Sequence, residues 1–164
     1  MNALLSPRLQ RRALTVRDLD AVVAVETRAY SHPWSRGNFT DSLAAGYLAE
    51  LLYAGNGDGD GEVVGYFVAM GNVDELHLLN ITVSPEWQGQ GHGRGLMAVL
   101  HEHALDRRLA ALWLEVRQSN ERARALYRAL GYVEVGLRRA YYPAAGRRED
   151  AVVMRLAVGR EPIA

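Results

Sequence analysis

The chain has 164 residues, 49% apolar and 23% charged, which suits one soluble domain with a core of its own. It contains no Cys and no Lys, which removes disulfides, thiolate metal sites, a cysteine nucleophile, a Schiff-base lysine and a P-loop lysine. The formal net charge is zero, which weighs against broad nucleic-acid binding; no apolar run approaches the ~20 residues of a membrane span, and MNALLSPRLQRR lacks signal-peptide order, so a cytoplasmic protein is expected.

Residues 8–13 are expected to form an edge strand. Thr15, with Asp18 three residues on, reads as a helix start. Leu19, Val22, Val23 and Glu26 then follow at helical spacing to about Ala29. Pro33 pushes His32 out of helical geometry, and Ser35 can cap a short helix to about Leu43. Tyr30 and Trp34 flank this break and read either as core packing or as a substrate-facing wall.

Tyr47–Tyr53 reads as a strand, followed by a turn of alternating glycines from Gly55 to Gly61, GNGDGDG. The Asp residues there suggest a calcium loop, but the Glu and flanking helices of that motif are missing. A flexible hairpin loop is the expectation. Glu62–Met70 and Leu76–Val83 continue an antiparallel meander.

After Val83 the chain reads SPEWQGQGHGRGL. Glycines at 89, 91 and 93 leave bare backbone N–H groups between a strand and a helix N-terminus, which is how proteins cradle phosphate anions. Arg94 can add a full positive charge. Each helical glycine costs ~1 kcal/mol, which argues against a mere connector. A Rossmann loop requires G-x-G-x-x-G, and both registers fail, ending on Arg94 or Leu96. A Walker loop fails for want of Lys.

A helix from Gly91 to about Arg108 is expected, with Leu96, Leu100 and Ala104 in one stripe beside Met97 and Leu105. The strand LWLEV follows, with Leu112, Leu114 and Val116 on one face and Trp113, Glu115 and Arg117 on the other. A strand, a helix and a second strand form a crossover, so this pair should be parallel. Asn120 can cap a helix carrying Ala123, Leu126, Tyr127 and Leu130 and ended by Gly131. Tyr132–Leu137 and Ala151–Leu156 are the last strands. No metal-like histidine spacing is present: His101 and His103 would point to different faces of a helix.

The segment from Val83 to Leu96, with its Gln88-x-x-Gly91-x-Gly93 register, resembles the acetyl-CoA pyrophosphate loop of GNAT N-acetyltransferases. The segments from Leu112 to Asn120, from Ala125 to Tyr132, Arg138-Arg139-x-Tyr141-Tyr142-Pro143 and Arg148-Glu149-Asp150-Ala151 resemble the RimI family within it, bacterial N-acetyltransferases of ribosomal-protein N-terminal alanine. The resemblance spans about residues 13–157 and implies one domain with a mixed α/β (α+β) GNAT fold. An antiparallel meander would join a parallel pair splayed at the acetyl-CoA site, with helices on both faces.

It also implies the roles. Glu115 is the candidate general base, and an ordinary Arg-paired strand carboxylate is its alternative. Tyr127 is the candidate acid for the departing thiolate, or else a core tyrosine. Ile81, Thr82 and Val83 would lie along the pantetheine arm; Gly89, Gln90, Gly91, His92, Gly93 and Arg94 would hold the pyrophosphate. Asn120 would contact the coenzyme, cap its helix, or both. Arg138, Tyr141 and Tyr142 would line the acceptor peptide. The implied co-substrate is acetyl-CoA, with no metal, no direct nucleic acid and no membrane. Gly89 and His92 stand where many relatives carry a basic and an aliphatic residue. Acetylation of a small amine and a non-catalytic acyl-CoA-binding module remain open alternatives.

Overall fold

The computed structural model describes residues 8–55 and 61–159. Residues 56–60 lie outside the described residues, and with them the hairpin-loop expectation for GNGDGDG. The elements are β1 (Leu9–Ala13), α1 (Leu19–Ala29), α2 (Arg36–Ala44), β2 (Leu48–Ala54), β3 (Glu62–Gly71), β4 (Glu75–Val83), α3 (His92–Asp106), β5 (Ala111–Arg117), α4 (Glu121–Ala129), β6 (Val133–Tyr142) and β7 (Glu149–Ala157). Seven strands make one mixed sheet in the order β1-β2-β3-β4-β5-β7-β6. The chain resolves into two compact units: residues up to Val68 with Asn80–Leu96, and Ala69–Leu79 with the residues from Met97 on.

In the first unit β1 pairs antiparallel with β2. The entry to α1 differs from expectation. Thr15 opens a 3-10 turn, Val16–Asp18, before the α-helix starts at Leu19. Asp18 is the reason: its carboxylate accepts from the Thr15 N–H at 2.8 Å and from both terminal nitrogens of Arg12 at 2.8 and 2.7 Å. α2 starts as its sequence implies, with Ser35 Oγ accepting from the Asn38 N–H at 3.1 Å. Leu19, Val22, Phe39, Val64, Tyr66 and Phe67 are buried in this unit.

In the second unit β4 and β5 pair in parallel, as a crossover requires. Their ladder runs only from Glu75–Ala111 to Leu78–Leu114, so both strands continue past it. On α3 Met97, Leu100 and Ala104 are buried, but Leu105 is 52% exposed. At 100° per residue Leu105 lies 140° from Leu100 and 100° from Ala104, off the inner stripe. Asn120 caps α4, its Oδ1 accepting from the Ala123 N–H at 3.1 Å, and Gly131 follows at φ +100.

The last two strands are longer than expected, and β7 lies between β5 and β6. β6 has two irregularities against β7, between Glu134 and Gly136 and between Arg138 and Tyr142. Glu134 sits opposite Met154 and Gly136 opposite Val153, so Val135 is an extra residue. The bulge takes that residue out of the ladder, so Gly136 and Arg138 lie on the face carrying Val153 and, across β7, Glu115. The second irregularity contains Ala140 at φ +52. It is held by Asp150, which accepts from the Ala140 N–H at 2.8 Å, and by Arg148, which donates to the Ala140 and Tyr141 carbonyls at 2.7 and 2.8 Å.

Candidate active site

Glu115 points from the middle of β5, and its side chain is only 5% exposed. The alternating pattern of LWLEV holds, with Leu112, Leu114 and Val116 buried in the core and Glu115 on the opposite face. His77 and Arg138 address its two oxygens differently. His77 Nε2 lies 2.5 Å from Oε2. Arg138 Nε lies 3.3 Å from Oε1, yet Oε1 accepts no hydrogen bond among the described residues. The carboxylate is thus held at one oxygen and bare at the other. Oε1 is a buried carboxylate oxygen with no hydrogen bond of its own among the described residues.

Around it stand aromatic and guanidinium groups. Arg138 lies over Trp113 at 5.8 Å and over Tyr141 at 5.4 Å. Tyr141 and Tyr142 meet edge to face at 4.9 Å, and Arg117 stacks on Tyr142 at 4.6 Å. Tyr141 is 39% exposed, as a wall meeting an incoming peptide would be. Burial, and then the negative charge of Glu115, push the Tyr142 phenol up, so it stays a hydrogen-bond donor at any working pH. The structure therefore brings Glu115, Arg138, Tyr141 and Tyr142 together. Tyr127 is buried at 7%, with its ring 5.9 Å from Tyr132. Asn120 spends its Oδ1 on the helix cap, which leaves its amide nitrogen for a ligand.

In the first unit the glycine loop leaves β4 through a 3-10 turn, Pro85–Trp87, and enters α3 at His92. Gly89 and Gly91 adopt φ +78 and +87, a conformation that only glycine takes cheaply. A Cβ built on Gly91 would meet nothing within 4 Å, so the backbone there faces open space. A phosphate can approach these N–H groups, and the start of the helix adds partial positive charge. Arg94 is exposed beside it. Gln88 is exposed, and its amide donates to the Val83 carbonyl at 3.0 Å, which fixes the loop to the strand end. Gln90 donates to the Glu86 carbonyl at 3.4 Å, and His92 meets Trp87 edge to face at 5.7 Å. Glu86 is exposed and held down to about 2 by the Ser84 hydroxyl and by Arg28.

Thr82 turns inward rather than along a surface. It belongs to a buried network around Glu26, which is 2% exposed. Glu26 accepts from Tyr66 at 2.7 Å, Asn80 at 3.1 Å, Thr82 at 3.4 Å and the Trp34 N–H at 2.9 Å. The Ile81 carbonyl accepts from Tyr30 at 2.9 Å, and Val83 offers its carbonyl to Gln88. Of these three strand residues, Thr82 can therefore serve a ligand through its backbone alone.

Two groups escaped the sequence reading. Glu26 looked like one more helical residue, and nothing in its spacing announced four neutral donors. His77 sat unremarked in an apolar strand. A polar side chain between Leu76 and Leu78 was the available signal, but its partner follows only from the register that sets His77 opposite Trp113. Among the described residues no group of three His, Cys, Asp or Glu stands together as metal ligands. No helix among the described residues is long and apolar enough to cross a membrane.

The model of the Acetyltransferase (GNAT) family matches residues 19–132. The [ribosomal protein bS18]-alanine N-acetyltransferase of Escherichia coli strain K12 is 39% identical over 146 residues, covering 89% of this chain and 95% of that protein. The putative enzyme of the same name from Bacillus subtilis is 32% identical, covering 87% of this chain and 91% of that protein. The crystal structure of the ribosomal-protein-S18-alanine N-acetyltransferase from Escherichia coli superposes with a TM-score of 0.85 at 36% identity, over 95% of this chain and 97% of that one.

Proposed function

The chain belongs to the Acetyltransferase (GNAT) family, and from that premise we propose that it acetylates the N-terminal α-amine of a protein, the N-terminal alanine of a small-subunit ribosomal protein being the acceptor. The observation that carries this reading is the buried Glu115 carboxylate with one oxygen bare, among Arg138, Tyr141 and Tyr142. The chain acts as one N-acetyltransferase domain, in the cytoplasm where such an acceptor is made.

Acetyl-CoA is the co-substrate. The N–H groups of Gly89 to Gly93, with Arg94, hold its pyrophosphate. Ile81, Thr82 and Val83 offer backbone to the pantetheine arm, and Asn120 offers its side-chain amide. An N-terminal amine has pKa ~7.7–8, so a usable fraction is neutral near pH 7, and a carboxylate suffices to take the proton that becomes acidic once the nitrogen attacks. The amine nitrogen attacks the thioester carbonyl carbon and gives its surplus proton to Glu115. The C–S bond then breaks, and the thiolate takes the phenolic proton of Tyr127. The proton on Glu115 restores the tyrosine through solvent, leaving an amide and free coenzyme thiol. Arg138, Tyr141 and Tyr142 orient the acceptor peptide.

Acetylation of a small amine uses the same chemistry, and a non-catalytic acyl-CoA module uses the same loop. A screen of peptides differing in their first two residues, run beside free amines, separates the three. Turnover should be fastest on alanine-initiated peptides and fall by ~10²-fold or more in Glu115→Gln. Faster turnover of free amines, or none with any acceptor, would overturn the reading.

A further inference from the structure

His77 is 7% exposed and lies flat on Trp113, ring centroids 3.7 Å apart and planes 10° from parallel. The stack sets the ring plane, and the 2.5 Å contact with Glu115 Oε2 sets its rotation. The second ring nitrogen, Nδ1, is buried with no hydrogen-bond partner among the described residues. A proton on Nδ1 would be a buried donor without an acceptor, whereas a proton on Nε2 gains a charge-assisted bond to the carboxylate. The neutral ring with Nε2–H is therefore the tautomer this site selects.

Resting on the reading of Glu115 as the base, we propose that His77 is a positioning residue for it: the imidazole pins Oε2 so that Oε1 alone receives the amine proton. Arg138 stands 3.3 Å from Oε1 without a hydrogen bond and leaves that lone pair unoccupied. The other groups around the pair are Arg117 and Tyr142 on the same face, and Arg155 opposite Trp113 on β7. None of them offers Oε2 a hydrogen bond among the described residues, so the imidazole alone performs this task. With Nε2 and Oε2 only 2.5 Å apart, replacing the imidazole should alter the pH dependence of the rate as well as its size.

The test compares the full-length wild type with His77→Gln, His77→Leu and Glu115→Gln, using acetyl-CoA and an alanine-initiated peptide. Thermal unfolding and the KM for acetyl-CoA are measured alongside. His77→Leu should lower kcat by ~10–100-fold, part of what a general base supplies, with the acetyl-CoA KM within about twofold. His77→Gln can still donate to Oε2 but cannot titrate. It should recover most of the plateau rate and move the acidic limb of kcat/KM by ~0.5 pH unit or more. Wild-type rate and limb in both His77 variants, with Glu115→Gln inactive, would overturn the positioning role and leave the base in place. So would a Gln variant as slow as Leu with an unmoved limb, which marks packing alone. Wild-type turnover in Glu115→Gln would overturn the base reading, and the role of His77 with it. If His77→Leu does not fold, the Gln variant's limb decides.

Discussion

His77 and Trp113 face each other across the parallel β4–β5 ladder as register partners, and their rings stack at 3.7 Å. The indole therefore fixes the imidazole that meets Glu115, two residues along β5 from Trp113. Trp113→Ala removes the stacking surface and also the ring beneath Arg138. Its kcat should fall by ~10-fold, whereas Trp113→Phe keeps a flat face and should stay within about threefold, stacked aromatic pairs contributing ~0.5–1.5 kcal/mol. Steady-state kinetics on an alanine-initiated peptide decides it.

Tyr127→Phe keeps the packing against Tyr132 and removes only the hydroxyl. Turnover should drop by ~10²-fold as thiolate protonation is lost. Acetyl-CoA affinity measured by calorimetry should change by less than about twofold. A mutant that binds weakly and turns over normally would reverse the assignment and make Tyr127 a binding residue.

Gly91→Val introduces a β-branched side chain at φ +87, a strained conformation for any L-residue at ~1–2 kcal/mol. Its side chain also enters the open space that the N–H groups face. Coenzyme dissociation constants should rise by ~10-fold or more, with thermal stability lowered only modestly. Equal affinity for acetyl-CoA in the variant would show that the pyrophosphate sits elsewhere.

Glu26 accepts four hydrogen bonds from neutral donors. Glu26→Ala leaves the Tyr66 hydroxyl, the Asn80 amide and the Trp34 N–H without this acceptor around a cavity, while Thr82 keeps Asn80 Oδ1 at 2.7 Å, and should destabilise the protein by ~3 kcal/mol. Calorimetric unfolding should then occur ~6–12 °C lower. Glu26→Gln keeps the shape but turns an amide toward some of these donors, so an intermediate loss is expected.

The Arg12 guanidinium, with the Thr15 N–H, holds the Asp18 carboxyl below its ordinary value. A group whose folded pKa is depressed contributes stability above its unfolded pKa of ~3.9 and loses it as pH falls through the folded value. Wild type and Asp18→Asn should thus differ in melting temperature above pH 4 and converge below it. A constant gap down to pH 2 would show that the side chain matters through the turn geometry alone.

The helix caps, the glycine loop and the face of Glu115 were legible because each is a local pattern: a side chain near its own backbone, bare N–H groups in sequence, or alternation along one strand. What could not be read is register. Nothing local says that His77 lies beside Trp113, or that Arg138 reaches Glu115. Those contacts depend on how far one strand slides past another. Of the two apolar residues expected beside the inner stripe of α3, Met97 is buried and Leu105 is exposed, so burial there follows helix geometry rather than hydrophobicity.

The bulge at Val135 also gives the C-terminal hairpin a parity. Deleting that one residue would remove the bulge and leave Gly136 opposite Val153 and Arg138 opposite Ala151, so Arg138 would keep the face of Glu115. In the regular ladder beyond the bulge, one inserted residue instead reverses the facing of everything after it, and a second restores it. A one-residue insertion between Gly136 and Leu137 should therefore turn Arg138 away from Glu115 and lower turnover in a well-folded protein, whereas loss of Val135 should be tolerated.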